Sequence, residues 1–120
     1  MADVVIFHNP NCSTSKYAVS LAADLGVDVE ERRYLLKAQR PTREEFEVLV
    51  GQVEDPATDL VRRDSLWQKL GLTDADASTP EQVIELLVRH KQLLQRPVVV
   101  TAERAIVGRP KERVRELLGG

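Results

Sequence analysis

A chain with one cysteine must hold its fold together by packing alone. Of 120 residues only Cys12 carries a thiol, so no internal disulfide can form. The two-thiol cycle of a Cys-x-x-Cys protein is equally closed, and any redox chemistry at Cys12 needs a second thiol from outside. The two histidines, His8 and His90, stand at spacings unrelated to that cysteine, so no zinc-type ligand set is visible and no metal is expected. A hydrophobic share of 42% suffices for one core, and the length fits a single domain over residues 1–120. The net charge of −2 offers no basic field for nucleic acid. No apolar run approaches the length of a bilayer, and the acidic stretch from Met1 to His8 does not read as a signal peptide. A cytoplasmic monomer is the expectation.

Apolar patterning gives the element order. Val4-Val5-Ile6-Phe7 reads as a buried strand, followed by the polar turn His8-Asn9-Pro10-Asn11. A helix then begins near Cys12, with Tyr17, Leu21 and Leu25 recurring every four residues and Gly26 as its stop. Val27 to Tyr34 alternates loosely as a second strand, completing a βαβ unit. The middle of the chain is helical. Thr42 and Glu45 form a capping box ahead of Phe46 and Leu49. Leu60, Val61, Leu66, Trp67 and Leu70 make a shorter set ending at Gly71, and Thr79-Pro80 opens a helix facing inward through Val83, Leu86 and Leu87. The stretches Pro97–Thr101 and Ala105–Val107 predict an antiparallel hairpin, and Pro110 starts a last helix with Val114, Leu117 and Leu118 on one face. This order predicts an α/β fold: a thioredoxin-like four-stranded mixed sheet with a helical insertion, about residues 42–90, between strands 2 and 3. In such a sheet the strand from Pro97 runs antiparallel to Val4–Phe7, and Arg96–Pro97 is expected to be cis beside the cysteine loop.

A lone cysteine is often a small buried hydrophobe. Cys12, however, sits in His8-Asn9-Pro10-Asn11-Cys12-Ser13-Thr14-Ser15 with no apolar neighbour for several residues. It lies where strand becomes helix, facing unpaired N–H groups and the positive end of the helix dipole. Such a setting favours the thiolate and can bring a thiol pKa from about 8.5 to about 3.5–7.5, and the same amides form an anion pocket. A cysteine-phosphatase loop would require arginine six residues on, where Ala18 stands, and a dithiol motif would require a second cysteine where Ser15 stands. Ser15 is placed to donate to the thiolate, and a protonated His8 would favour its charge. Each also has an ordinary reading, Ser15 as a helix-start hydroxyl and His8 as a turn residue. Twelve of the seventeen basic residues are arginine, so composition alone selects no anion ligand.

Taken together, His8-Asn9-Pro10-x-Cys12-Ser13-Thr14-Ser15, Leu60-Val61-Arg62-Arg63, Gln95-Arg96-Pro97-Val98-Val99-Val100-Thr101 and Gly108-Arg109-Pro110 resemble the glutaredoxin-coupled arsenate reductase family over essentially the whole chain. The absence of a C-terminal extension after the last helix matches the short, chromosomal-type members. The resemblance implies a catalytic Cys12 tuned by His8 and Ser15, and an oxyanion held by Arg62, Arg96 and Arg109, with Arg63 as the alternative to Arg62. It further implies reduction of arsenate to arsenite through a covalent Cys12 adduct. Glutathione or an equivalent thiol serves as co-substrate, a glutaredoxin-like protein as partner, and no cofactor is bound. Two other readings stay open: a non-catalytic thiol sensor of the same fold, and a monothiol redox module acting on glutathione adducts.

Overall fold

The period-2 alternation of three strands decides which helices lie on which side of the sheet. The computed structural model describes residues 3–119; Met1, Ala2 and Gly120 lie outside the described residues. Four strands, β1 (Val4–Phe7), β2 (Val29–Arg32), β3 (Val98–Thr101) and β4 (Ala105–Val107), pair in the order β2-β1-β3-β4. β2 runs parallel to β1, while β3 runs antiparallel to both β1 and β4; Val4 faces Thr101, and Phe7 faces Val98. Val4, Ile6, Val99 and Ile106 project to one face and pack on α1 (Ser13–Asp24) and α5 (Glu112–Leu118) through Ala18, Leu21, Ala22 and Val114. Phe7, Val98, Ala105 and Val107 project to the other. There they meet α2 (Arg43–Gln52), α3 (Ser65–Lys69) and α4 (Pro80–Arg89), all inserted between β2 and β3. The result is a mixed sheet between two helical layers, the thioredoxin-like architecture expected from the element order. Ile6 is fully buried at the centre, and truncating it to alanine should cost about 2–5 kcal/mol.

The helix starts follow their capping chemistry. Thr42 Oγ1 accepts from Glu45 N–H while Glu45 Oε1 accepts from Thr42 N–H, and Thr79 and Gln82 repeat the box with Pro80 in the first turn. Glu45 also receives both terminal nitrogens of Arg32, at 2.7 and 2.9 Å, which ties the edge strand β2 to α2. Gly26 follows α1 with φ of 72°, the left-handed conformation that glycine takes without strain.

Three expectations change. β2 is four residues long instead of extending from Val27 to Tyr34, because Tyr34 turns inward and is completely buried. Leu60 to Arg63 is not part of a helix running to Gly71. Val61 bridges Leu94, Arg62 N–H donates to Leu93 C=O at 2.8 Å, and Gln95 N–H donates to Leu60 C=O at 2.7 Å. This cross-strand pairing claims the backbone groups, and α3 starts afresh where Asp64 caps Trp67 N–H. Finally, α5 begins at Glu112, two residues beyond Pro110. Among the described residues no helix is long and apolar enough to cross a membrane.

Candidate active site

β1 delivers the chain to the site through a short, fully tied loop. His8 N–H donates to Arg32 C=O at 2.8 Å, extending the sheet by one residue. Asn9 then shapes the turn twice: its side-chain oxygen accepts from Asn11 N–H at 2.9 Å, and its carbonyl accepts from Cys12 N–H at 3.0 Å. Cys12 stands at the N-cap of α1 in extended conformation (φ −106°, ψ 122°), and its own carbonyl accepts the first helical bond, from Lys16. Its half-buried sulfur therefore faces the first turn of a 12-residue helix, where backbone N–H groups have no intrahelical partners.

Burial pushes the Cys12 thiol up, yet its pKa lies below the ordinary thiol value. The N–H of Ser15, the Arg96 side chain, the N–H of Thr14 and the charge of Arg109 favour the thiolate and outweigh desolvation. The thiol makes no capping hydrogen bond of its own, so these amides remain open toward it. Arg109 makes the direct contact: Nη2 donates to Cys12 Sγ at 3.4 Å, and Nε donates to the Arg96 carbonyl at 2.7 Å. The Arg96 side chain is half-buried, and its Nε is buried without a hydrogen-bond partner among the described residues. The Arg96–Pro97 and Arg109–Pro110 bonds are both cis. Gly108 lies against Pro97, donating its N–H to the Pro97 carbonyl at 2.8 Å; a Cβ there would fall 2.8 Å from Pro97 Cγ, so only glycine fits.

The sequence-predicted residues divide into two groups. Cys12 and Arg109 meet directly, and Arg109 ties the Arg96 backbone to them. Arg62 is half-buried, pairs with Asp64 at 3.7 Å, and lies on the Arg96 side, where its charge and that of Arg96 both act on the Tyr34 hydroxyl. Arg63 turns elsewhere: it donates to the Thr58 and Val61 carbonyls at 2.6 and 2.7 Å and stacks on Trp67 at 4.6 Å.

His8 and Ser15 meet each other. The buried Ser15 Oγ lies 2.6 Å from His8 Nδ1 and accepts from Asn9 N–H at 3.0 Å, so it is the backbone N–H of Ser15, not its hydroxyl, that favours the Cys12 thiolate. Burial lowers the pKa of His8, against the opposing pull of Glu31, which disfavours the protonated form expected from the sequence. Both residues thus shape the loop that carries Cys12. Sequence reasoning missed Asn9, whose turn chemistry was a usable signal, and Tyr34. The Tyr34 hydroxyl donates to Leu94 C=O at 3.3 Å beneath the arginines, a position set by folding alone. Among the described residues no group of three or more His, Cys, Asp and Glu side chains is placed to hold a metal ion. What the site offers is one activated thiol, open helix amides and guanidinium donors, a combination suited to nucleophilic attack on a bound oxyanion.

Fold and site together define a thioredoxin-like protein built around a single cysteine at a helix N-terminus. The ArsC family model matches residues 7–117, and the chain belongs to the ArsC family. It is 35% identical over 118 residues to the uncharacterised protein YfgD of Escherichia coli K12, covering 97% of each chain. It is 30% identical over 115 residues to the arsenate reductase of Haemophilus influenzae, covering 96% of this chain and 98% of that one. The arsenate reductase of Vibrio cholerae has a solved structure that superposes with a TM-score of 0.79 at 30% identity, over 98% of both chains.

Proposed function

We propose that this protein reduces arsenate to arsenite at Cys12, with electrons supplied by external thiols. The observation that carries this reading is the Arg109 guanidinium at 3.4 Å from the Cys12 sulfur, at the open N-terminus of α1. The unpartnered Arg96 Nε supports it, because an oxyanion oxygen beside Cys12 would give that buried donor an acceptor. The arsenate reductases among its relatives support the choice of oxyanion.

Arsenate enters among the helix amides and is held by Arg96 and Arg109, with Arg62 closing the Arg96 side. The Cys12 thiolate attacks arsenic, an As–O bond breaks, and the oxygen leaves as water after taking up protons. The guanidinium groups keep their charge throughout and stabilise the crowded anionic transition state. A glutathione thiol attacks the Cys12 sulfur of this adduct. The S–As bond breaks, its electron pair stays on arsenic, and arsenic(V) becomes arsenic(III). Arsenite leaves, and Cys12 remains as a mixed disulfide with glutathione. A glutaredoxin-like protein or a second thiol then reduces that disulfide and restores Cys12. His8, Ser15 and Asn9 position the loop. The scheme needs no bound cofactor, and its demand for free thiols suits the reducing cytoplasm.

Arsenite release by the purified protein tests this. Turnover is expected only with added thiol, faster when glutaredoxin accompanies glutathione, and absent in Cys12→Ser. Turnover without any thiol would refute the scheme, since the chain has no other source of two electrons. A reactive Cys12 with no turnover under any thiol system would favour a sensor or a monothiol module instead.

A further inference from the structure

A cleft of about 760 Å³ opens beside Arg109, and Cys12 is not among its lining residues. Buried Val61, Ala77 and Val107 contribute apolar surface to its wall. Most of its charges are already engaged. Arg113 pairs with Asp55 at 2.6 Å, Asp55 also accepts from Val107 N–H at 2.9 Å, and Arg63 is held by backbone carbonyls and pairs with Asp74 at 3.5 Å. Two charged groups keep capacity for a ligand. Arg109 reaches Cys12 with one nitrogen and also lines the cleft, while exposed Asp59 forms no ion pair with any described residue. Gln95 adds a carboxamide whose oxygen accepts from Arg96 N–H at 3.3 Å, leaving its NH₂ group to donate. The cleft thus offers an anionic acceptor, an amide donor and a guanidinium next to the reactive sulfur. Its volume is that of a pocket for a small organic molecule.

We propose that this cleft seats the thiol that resolves Cys12, a small peptide-like thiol whose free α-ammonium binds Asp59. The proposal rests on the thiol chemistry argued above and adds the site and the recognition element for the second substrate. Gln95 donates to a peptide carbonyl of the thiol, and its sulfur reaches Cys12 past Arg109. Recognition by Asp59 runs against simple charge steering, since a glutathione-type ligand carries net negative charge and a carboxylate at position 59 would otherwise repel it.

That opposition gives the test its sign. Mixed-disulfide formation on Cys12 can be followed by intact mass with glutathione disulfide as probe and no oxyanion present. The Cys12 thiolate attacks one sulfur, the S–S bond breaks, and one glutathione leaves as thiolate and takes a proton from solvent. Asp59→Lys should slow this step roughly fivefold to tenfold and Asp59→Asn by less. Neutral 2-hydroxyethyl disulfide should react equally with all three proteins. Glutathione disulfide acetylated on its α-amino groups should react with the unmodified protein at the reduced rate. An unchanged or faster reaction of Asp59→Lys with glutathione disulfide, the result expected from charge steering alone, would overturn the assignment of the cleft and leave the arsenate chemistry standing. A Cys12 inert toward both disulfides would overturn the cleft and the thiol chemistry together.

Discussion

Arg109 donates to the sulfur of Cys12 across 3.4 Å although the two residues lie 97 positions apart, and its second bond, to the Arg96 carbonyl, fixes the plane of the guanidinium. One side chain therefore locks the two cis-proline segments to the cysteine loop. Arg109→Ala should lower turnover by about 2–4 kcal/mol of transition-state stabilisation, the scale of losing one oxyanion-hole donor, and Arg96→Ala should do the same. Both should also raise the Cys12 pKa, since both groups favour the thiolate. Arg109→Lys should recover little, because a lysine cannot hold the carbonyl and the sulfur with one planar group. Steady-state kinetics and thermal unfolding of the same variants check this: activity should fall far more than stability.

Ser15 separates a direct role from a positioning one. If its hydroxyl acted on the sulfur, Ser15→Ala would raise the Cys12 pKa strongly. The structure predicts otherwise, because the Ser15 amide remains while the hydroxyl bonds to His8 and Asn9 are lost. Stability should fall by about 1–3 kcal/mol for the unsatisfied Asn9 donor, and the alkylation midpoint of Cys12 should move little. A large shift of that midpoint with unchanged stability would reverse the assignment.

Arg62 and Arg63 should diverge. Arg63→Ala removes bonds to the Thr58 and Val61 carbonyls and the stacking on Trp67, so it should lower the melting temperature and spare turnover. Arg62→Ala should lower turnover and leave melting nearly unchanged, its Asp64 pair being partly solvated. An exchange of these two outcomes would assign the oxyanion to Arg63.

The strands and capped helices were legible because their signals are local. Short continuous apolar runs marked β1, β3 and β4, and Thr42 with Glu45 marked the start of α2. Leu60 to Arg63 was misread because its backbone partners, Leu93 to Gln95, lie some thirty residues downstream, and pairing at that range leaves no periodicity in a short segment. The cysteine loop could be recognised from its own residues. That Ser15 would turn its hydroxyl to His8 depended on how deeply both are buried, which follows from packing and not from spacing. Tyr34 escaped notice for the same reason.

Glu45 makes the edge of the sheet sensitive to acid. The Arg32 side chain, bonded to both carboxylate oxygens, holds its pKa down from 4.5 to about 2. A depressed folded-state pKa gives stability that is fully present above the unfolded value and lost as pH falls toward the folded one. Glu45→Gln should therefore cost about 1 kcal/mol at neutral pH, allowing for the partial exposure of the pair. The gap in melting temperature between variant and parent should close as pH falls from 4.5 toward about 2. A gap independent of pH would assign the contribution of Glu45 to its capping bonds instead.

The pH dependence of Cys12 alkylation, with and without arsenate, tests the central claim most directly. The claim is that the helix amides, Arg96 and Arg109 make this sulfur a thiolate inside an anion pocket. The rate should follow a single titration with its midpoint clearly below about 8.5, the value of an ordinary thiol. Arsenate should slow alkylation of the parent protein and have little effect on Arg96→Ala or Arg109→Ala. A midpoint at or above about 8.5, with no protection by arsenate, would contradict the account and return Cys12 to the role of a small buried side chain.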